Sequence, residues 1–298
     1  MGSGSCKNLK EKVIKFIFSA TGAIALLTLI GIFLFLFTTG IKSFTQVSAG
    51  DFFTGRDWNP TAYQEPQWGI LGLLVSTAMI TLGSLVIAIP LGIAAAIYLS
   101  EIARPNVREI VKPIIEMIAG IPSVVLGLLG ILFLAPAIAD LFNLSSGLNA
   151  LTSSIIVGIM VLPTIVSISE DVLRSLPKEF REAGLALGAT KWQMIRMTLL
   201  PAGLSGLSAA VLLGLGRAIG ETMVVLMVAG NSRAMPTSFF DPIRPITANI
   251  AIEIKEVVKD SLHYQTLFAM GLVLFALTFV INFISDLIIQ KQVRKYQW

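Results

Sequence analysis

The chain has 298 residues, 55% hydrophobic and only 13% charged, with a mean hydropathy of +0.82 and a formal net charge of +4. A soluble domain carries about a quarter of its residues as charges, so the composition excludes one and points to a membrane protein. A single cysteine, Cys6, excludes an internal disulfide and a cysteine metal cluster, and a single histidine, His263, excludes a histidine metal cluster and a serine triad.

Lys7, Lys10, Lys12 and Lys15 precede the first charge-free window, residues 16–41. That run is too long for the core of a secretion signal, about 7 to 15 residues, and 38–43 offers no convincing cleavage site, so it reads as a retained anchor. The opening Met1-Gly2-Ser3-Gly4-Ser5-Cys6 misses the myristoylation pattern, which wants Ser or Thr where Cys6 stands. Further windows run over 66–100, 117–139, 141–169, 197–216 and onward, and 261–285. Each supplies the ~20 apolar residues that a helix needs to cross ~30 Å of hydrocarbon, so six transmembrane helices are expected.

Lysine and arginine placement sets the orientation. With the N-terminus inside, the inner segments hold Lys7 to Lys15, then Arg104, Arg108 and Lys112, then the basic residues of 174–196, then Lys291, Arg294 and Lys295. The outer segments hold Lys42, Arg56, Arg233, Arg244, Lys255 and Lys259, and the bias gives N-in, C-in. The excess positive charge thus reports topology without any need for nucleic acid.

Between the first two spans, 51–68 carries Trp58, Tyr63 and Trp68 with Pro60 and Pro66, which suits an interfacial segment anchored by aromatics. Pro90, Pro122 and Pro163 fall in or near spans, where each removes a backbone bond and invites a kink. The inner segment 170–196 looks folded. Pro177 suits the first turn of a short helix, Glu179 and Glu182 complement its positive end, and Gly188 can close it in a left-handed conformation. Thr190 and Gln193 have capping-box spacing, and Pro201 marks a bend into the next span. The apolar members of this knob, Phe180, Ala183, Leu185 and Leu187, either dock on a partner or cover their own bundle.

Arg217 and Glu221 then interrupt an otherwise uncharged stretch over 197–231. An intramembrane charge costs roughly 2.5 to 3.5 kcal/mol on insertion scales and therefore faces a partner, a cavity or a pathway. Their i to i+4 spacing puts both on one face of a helix, where they can neutralise each other or share an anion. Gly216 and Gly220 form a G-x-x-x-G that lets another backbone approach. Beyond them, 232–264 mixes Pro236, Pro242 and Pro245 with an apolar-periodic piece over 246–258 that reads as an outer helix.

Glu182-Ala183-Gly184, then Gly188, then Leu200-Pro201 resembles the coupling loop of ATP-binding-cassette (ABC) importer permeases, with Gly184 where Ala is usual and Thr198 where Ile is usual. Ala119-Gly120-Ile121-Pro122-Ser123-Val124-Val125, residues 214–223 and 227–231, and Thr247-Ala248-Asn249-Ile250-Ala251 are similar to the PstC-type permease subunit of the phosphate-specific importer. The resemblance covers nearly the whole chain, from Trp58-Asn59-Pro60 onward.

It implies an all-α integral membrane protein of type I, MetI-like architecture. Its parts are an inner N-terminus over 1–15, a six-helix permease domain over 16–290 with the coupling loop at 170–198 and outer loops near 42–67 and 231–262, and an inner C-terminus over 291–298. The implied partners are a second permease of PstA type, an ATPase dimer of PstB type that docks on Phe180, Glu182, Ala183, Gly184, Leu187 and Gly188, and an extracytoplasmic phosphate-binding protein of PstS type. The implied location is a bacterial or archaeal cell membrane.

The chain has no phosphate loop of its own, so ATP and Mg belong to the partner ATPase, and no cofactor, metal site or catalytic residue is expected in this chain. The expected substrate path is Arg217, Glu221, Ser123 and Thr222. A guanidinium offsets the charge of a phosphate anion and matches its oxygens in a fork, while Glu221 weakens its net field so that the anion can pass; a structural ion pair is the competing use. Other functional readings are an importer of another oxyanion, a self-contained carrier with Glu221 as its proton site, and a membrane enzyme, which fails for want of clustered His, Cys or acidic residues at membrane depth.

Overall fold

The computed structural model describes residues 3–296. The side chains of 1–10, 13, 285–286 and 288–298 lie outside the described ones, and with them the readings made for Cys6, Lys7, Lys10, Lys291, Arg294 and Lys295. Among the described residues, five helices are long and apolar enough to cross a membrane, and a sixth span is formed by a bent pair.

The chain opens with α1 (Ser3–Gly40), an apolar rod whose described side chains are nearly all exposed. Such a helix is stable where lipid replaces water around it. The outer segment that follows holds α2 (Ala49–Thr54) and a two-residue pair of antiparallel strands, β1 (Trp58–Asn59) and β2 (Gln67–Trp68). Next come α3 (Leu71–Ile97), α4 (Pro105–Ala119), α5 (Ser123–Leu129) and α6 (Ala135–Phe142), the last two joined by a π-helical stretch, Gly130–Leu134.

The fourth span is α7 (Ala150–Ser175). The inner segment is α8 (Lys178–Ala186) and α9 (Lys191–Met194), followed by π-helical Ile195–Leu199 and α10 (Leu200–Ala202). Then α11 (Leu204–Ile219) and α12 (Met223–Val228) rise to the outer side, α13 (Ile246–Glu253) lies in the outer segment, and α14 (Leu262–Tyr296) completes the bundle.

The core forms where α3 and α7 pack closely. Small residues permit it: a Cβ at Gly92 would stand 2.7 Å from Ile165, and one at Gly158 would stand 3.1 Å from the Ser84 carbonyl. Ser76, Thr77, Thr81, Ser84, Ser153 and Ser154 donate their hydroxyls to carbonyls of the preceding turn, so these polar groups are buried without a stranded donor. α1 joins the periphery by packing on α14, with Phe33 on Phe275 and Phe35 edge-on to Phe268.

Two sequence expectations need correction, on where the fourth span starts and where the outer helix ends, and two others gain detail. The inner stretch holding Arg104, Arg108 and Lys112 is a helix, α4, with Pro105 at its first turn, where a missing N–H costs nothing. The fourth span starts later than the window over 141–169, because Asn143 adopts a left-handed conformation at the end of α6 and Asn149 caps α7 by accepting from the Thr152 N–H. The fifth span bends where Pro201 was expected to turn it. The arm Lys191–Ala202 and the helix Leu204–Ile219 meet at 73°, where Pro201 removes a backbone donor and Gly203 follows. Last, the outer helix ends at Glu253, short of position 258. Pro90 and Pro163, by contrast, sit inside unbroken helices.

The inner knob matches its sequence signals closely. Pro177 precedes α8, Gly188 is left-handed at φ +79°, and Thr190 and Gln193 exchange both hydrogen bonds of a capping box.

Candidate functional site

A second break in the fifth span, between α11 and α12, carries the intramembrane charges. α11 ends at Ile219 with Gly220 as its cap, and Thr222 precedes α12, where its hydroxyl donates back to the Gly220 carbonyl at 3.2 Å. Irregular backbone at membrane depth is tolerated where protein or a cavity satisfies it. Here the Glu221 carboxylate accepts from the Val224 N–H at 2.9 Å, acting as a cap for α12, and the Thr247 hydroxyl donates to the Glu221 carbonyl at 2.9 Å. The outer helix α13 is thereby tied to the break.

This overturns the expected ion pair. The helix stops between Arg217 and Glu221, and among the described residues no salt bridge joins them. Arg217 turns instead to α7, where Nη1 donates to the Thr164 hydroxyl at 3.0 Å. The approach of the two helices depends on Gly214, whose Cβ position lies 2.9 Å from side-chain atoms of both Val161 and Ile165. Gly216, expected to serve backbone contact, faces open space within this chain, and a Cβ at Gly220 would meet nothing nearer than its own helix's carbonyls.

Ser123 is half-buried at the first turn of α5, and no hydrogen bond links it to Arg217, Glu221 or Thr222 among the described residues. α5 does reach the upper half of the broken span, since a Cβ at Gly127 would stand 2.7 Å from the Met227 sulfur.

The inner knob presents Phe180, Glu182, Ala183, Leu185, Leu187 and Gly188 to solvent, with Leu187 89% exposed, while Gly184 is buried against Met194. A Cβ at Gly184 would stand 3.0 Å from Met194 Cγ, a close contact that a small shift of the Met194 side chain relieves. Two residues that the sequence reading did not single out anchor the knob. Arg181 on α8 forms a salt bridge with Glu101 at the inner end of the second span and also donates to the Leu173 and Leu176 carbonyls. Beside them Glu170, fully buried in α7, meets Arg108 at 2.9 Å and Lys112 at 2.6 Å from α4.

The outer segment has its own buried carboxylate. Glu253 receives the Trp58 indole N–H at 2.9 Å and lies 2.8 Å from His263, 3.3 Å from Arg233 and 3.4 Å from Arg244. Burial alone would raise its pKa. The hydrogen bonds from His263 and Trp58 and the Arg233 charge outweigh that, and hold it below the ordinary 4.5.

A bundle of membrane-crossing helices with a twice-broken fifth span, a half-buried guanidinium that meets no carboxylate among the described residues and an exposed inner knob defines a multi-pass membrane protein. Residues 88–296 match the model of the binding-protein-dependent transport system inner membrane component family. The chain is 40% identical to the probable ABC transporter permease protein YqgH of Bacillus subtilis, covering 92% of this chain and 89% of that one. It is 37% identical to the phosphate transport system permease protein PstC of Mesorhizobium japonicum over 77% and 75%, and 32% identical to PstC of Haemophilus influenzae over 96% of both.

Among solved structures, its fold is similar to that of a bacterial alginate ABC transporter, with a TM-score of 0.59, 16% identity and 94% of both chains covered. It is also similar to that of the MetNI methionine ABC transporter, with a TM-score of 0.56, 21% identity and 75% and 94% covered. The chain belongs to the binding-protein-dependent transport system inner membrane component family, and is a membrane-spanning permease subunit of an ABC importer.

Proposed function

We propose that this chain is the PstC-type permease of an importer of inorganic phosphate in a bacterial or archaeal cell membrane. It forms half of the path beside a PstA-type permease, accepts phosphate from a PstS-type binding protein on its outer side, and couples through α8 to a PstB-type ATPase dimer that binds ATP and Mg. The observation that carries this reading is Arg217: a half-buried guanidinium at a break in a membrane helix, held by a neutral hydroxyl and not cancelled by a carboxylate. Such a charge attracts an anion in a low-dielectric passage and can release it, because no other lysine or arginine lies in 197–231 to add to its hold. The similarity to phosphate transport permeases supports phosphate as that anion. Glu221 serves the path indirectly by shaping the break, and Thr222 and Ser123 lie where the fifth and third spans turn.

The inner knob supports the coupling role through its exposed apolar residues Phe180 and Leu187 on a scaffold tied to two spans. The test is phosphate uptake by the four-component complex in liposomes. Uptake that needs the ATPase, the binding protein and Arg217 supports the proposal. Normal uptake by Arg217→Gln, or uptake by this chain alone under a proton gradient, overturns it.

A further inference from the structure

Most buried hydroxyls in these spans are spent on their own helices. Thr77, Thr81, Ser153 and Ser154 all donate to a carbonyl four residues back. Thr164 does not. Its oxygen accepts from Arg217 Nη1, and its own hydrogen has no acceptor among the described residues. It sits directly after Pro163, half-buried on α7, at the level where Gly214 lets α11 approach.

A guanidinium has five N–H donors, and Thr164 occupies one of them. No other Arg217 hydrogen bond is formed among the described residues, so Nε and Nη2 are available to a ligand. A carboxylate in place of Thr164 would fix the guanidinium and cancel its charge. A hydroxyl fixes it and leaves the charge intact.

We propose that Thr164 is a substrate-contacting and positioning residue of the translocation path: it orients Arg217 against α7 and donates its own hydroxyl hydrogen to the same oxyanion. Arg217 and Thr164 then form a donor-only set drawn from two spans, suited to a tetrahedral oxyanion whose exposed oxygens are acceptors. The assignment rests on the reading of Arg217 as an anion contact.

The experiment measures inorganic phosphate flux per assembled transporter in liposomes for Thr164→Val, Thr164→Ala and Thr164→Ser. Valine keeps the shape and removes the hydroxyl; alanine adds no bulk and serves as the second probe should valine disturb assembly. The expected result is a loss of roughly tenfold or more in both, the scale of one hydrogen bond to a charged group, with serine within about twofold of wild type. Wild-type flux in assembled Thr164→Val or Thr164→Ala, or a serine variant as impaired as alanine, overturns the proposal. Arg217→Gln separates the two levels. If it transports normally the Arg217 reading falls, whereas a dead Arg217→Gln beside a normal Thr164→Val sinks the Thr164 assignment alone.

Discussion

Arg181 and Glu101 meet in a forked ion pair, with Nη2 2.7 Å and Nε 3.1 Å from Oε1, and Nη1 and Nη2 extend the grip to the Leu176 and Leu173 carbonyls. One side chain thus joins the exposed knob to the inner ends of α3 and α7. Removing it leaves a carboxylate that is 5% exposed without its partner. The cost of breaking a pair of this kind is about 3 kcal/mol or more. Arg181→Ala is expected to lower the thermal stability of the purified complex and to abolish phosphate-stimulated ATP hydrolysis. Adding Glu101→Gln recovers part of the stability but not the coupling.

Leu187 and Gly184 separate docking from folding. Leu187→Glu alters a residue that is 89% exposed and is expected to change the chain's own stability by less than about 0.5 kcal/mol while preventing co-purification with the ATPase. Gly184→Ala displaces only the flexible Met194 and is tolerated. Gly184→Val presses α8 away from α9 and is expected to reduce both stability and coupling.

Gly214 and Gly216, two residues apart, respond oppositely. Gly214→Leu drives side-chain atoms into Val161 and Ile165 and is expected to cost about 1–3 kcal/mol in thermal unfolding, together with loss of uptake, since it parts Arg217 from Thr164. Gly216→Ala enters open space and is expected to stabilise the isolated chain slightly. A strong assembly defect in Gly216→Ala would mark that face as a contact with the second permease.

Glu253 gives the outer segment a defined acid response. Its folded pKa is depressed, so its contribution is fully present above the ordinary value of 4.5 and is lost as pH falls through the lower folded value. Glu253→Gln is therefore expected to weaken protection of the outer segment in hydrogen exchange at neutral pH, since Arg244 and the Trp58 N–H lose a charged partner. The gap between variant and wild type stays constant down to about pH 5 and narrows below it. A gap that instead widens in acid contradicts the assignment.

The spans and the knob were legible because they follow from short-range rules: charge-free windows mark helices, and Pro177, Gly188 and the Thr190–Gln193 box mark the ends of α8 and α9. The bend at Pro201 was legible for the same reason, but the interruption between α11 and α12 was not. Gly220 resembles the other glycines of membrane helices, and the interruption depends on what packs around it. The Arg217–Glu221 spacing suggested a pair only because the helix was taken to continue. The partners that replace it, Thr164 and the Val224 N–H, lie on another span and on the backbone. Arg181 with Glu101, and Glu253 with His263, each join residues far apart or in separate elements, and no local pattern announces such contacts.

The 73° corner at Gly203 makes the inner arm Lys191–Ala202 a crank attached to the foot of α11. An arm of that length reaches on the order of 18 Å, so a swing of about 10° at its base moves its far end by about 3 Å. A thrust delivered sideways beneath the membrane would thus emerge as a turn of α11 about its axis, swinging Arg217 relative to Thr164 without sliding the helix through the bilayer.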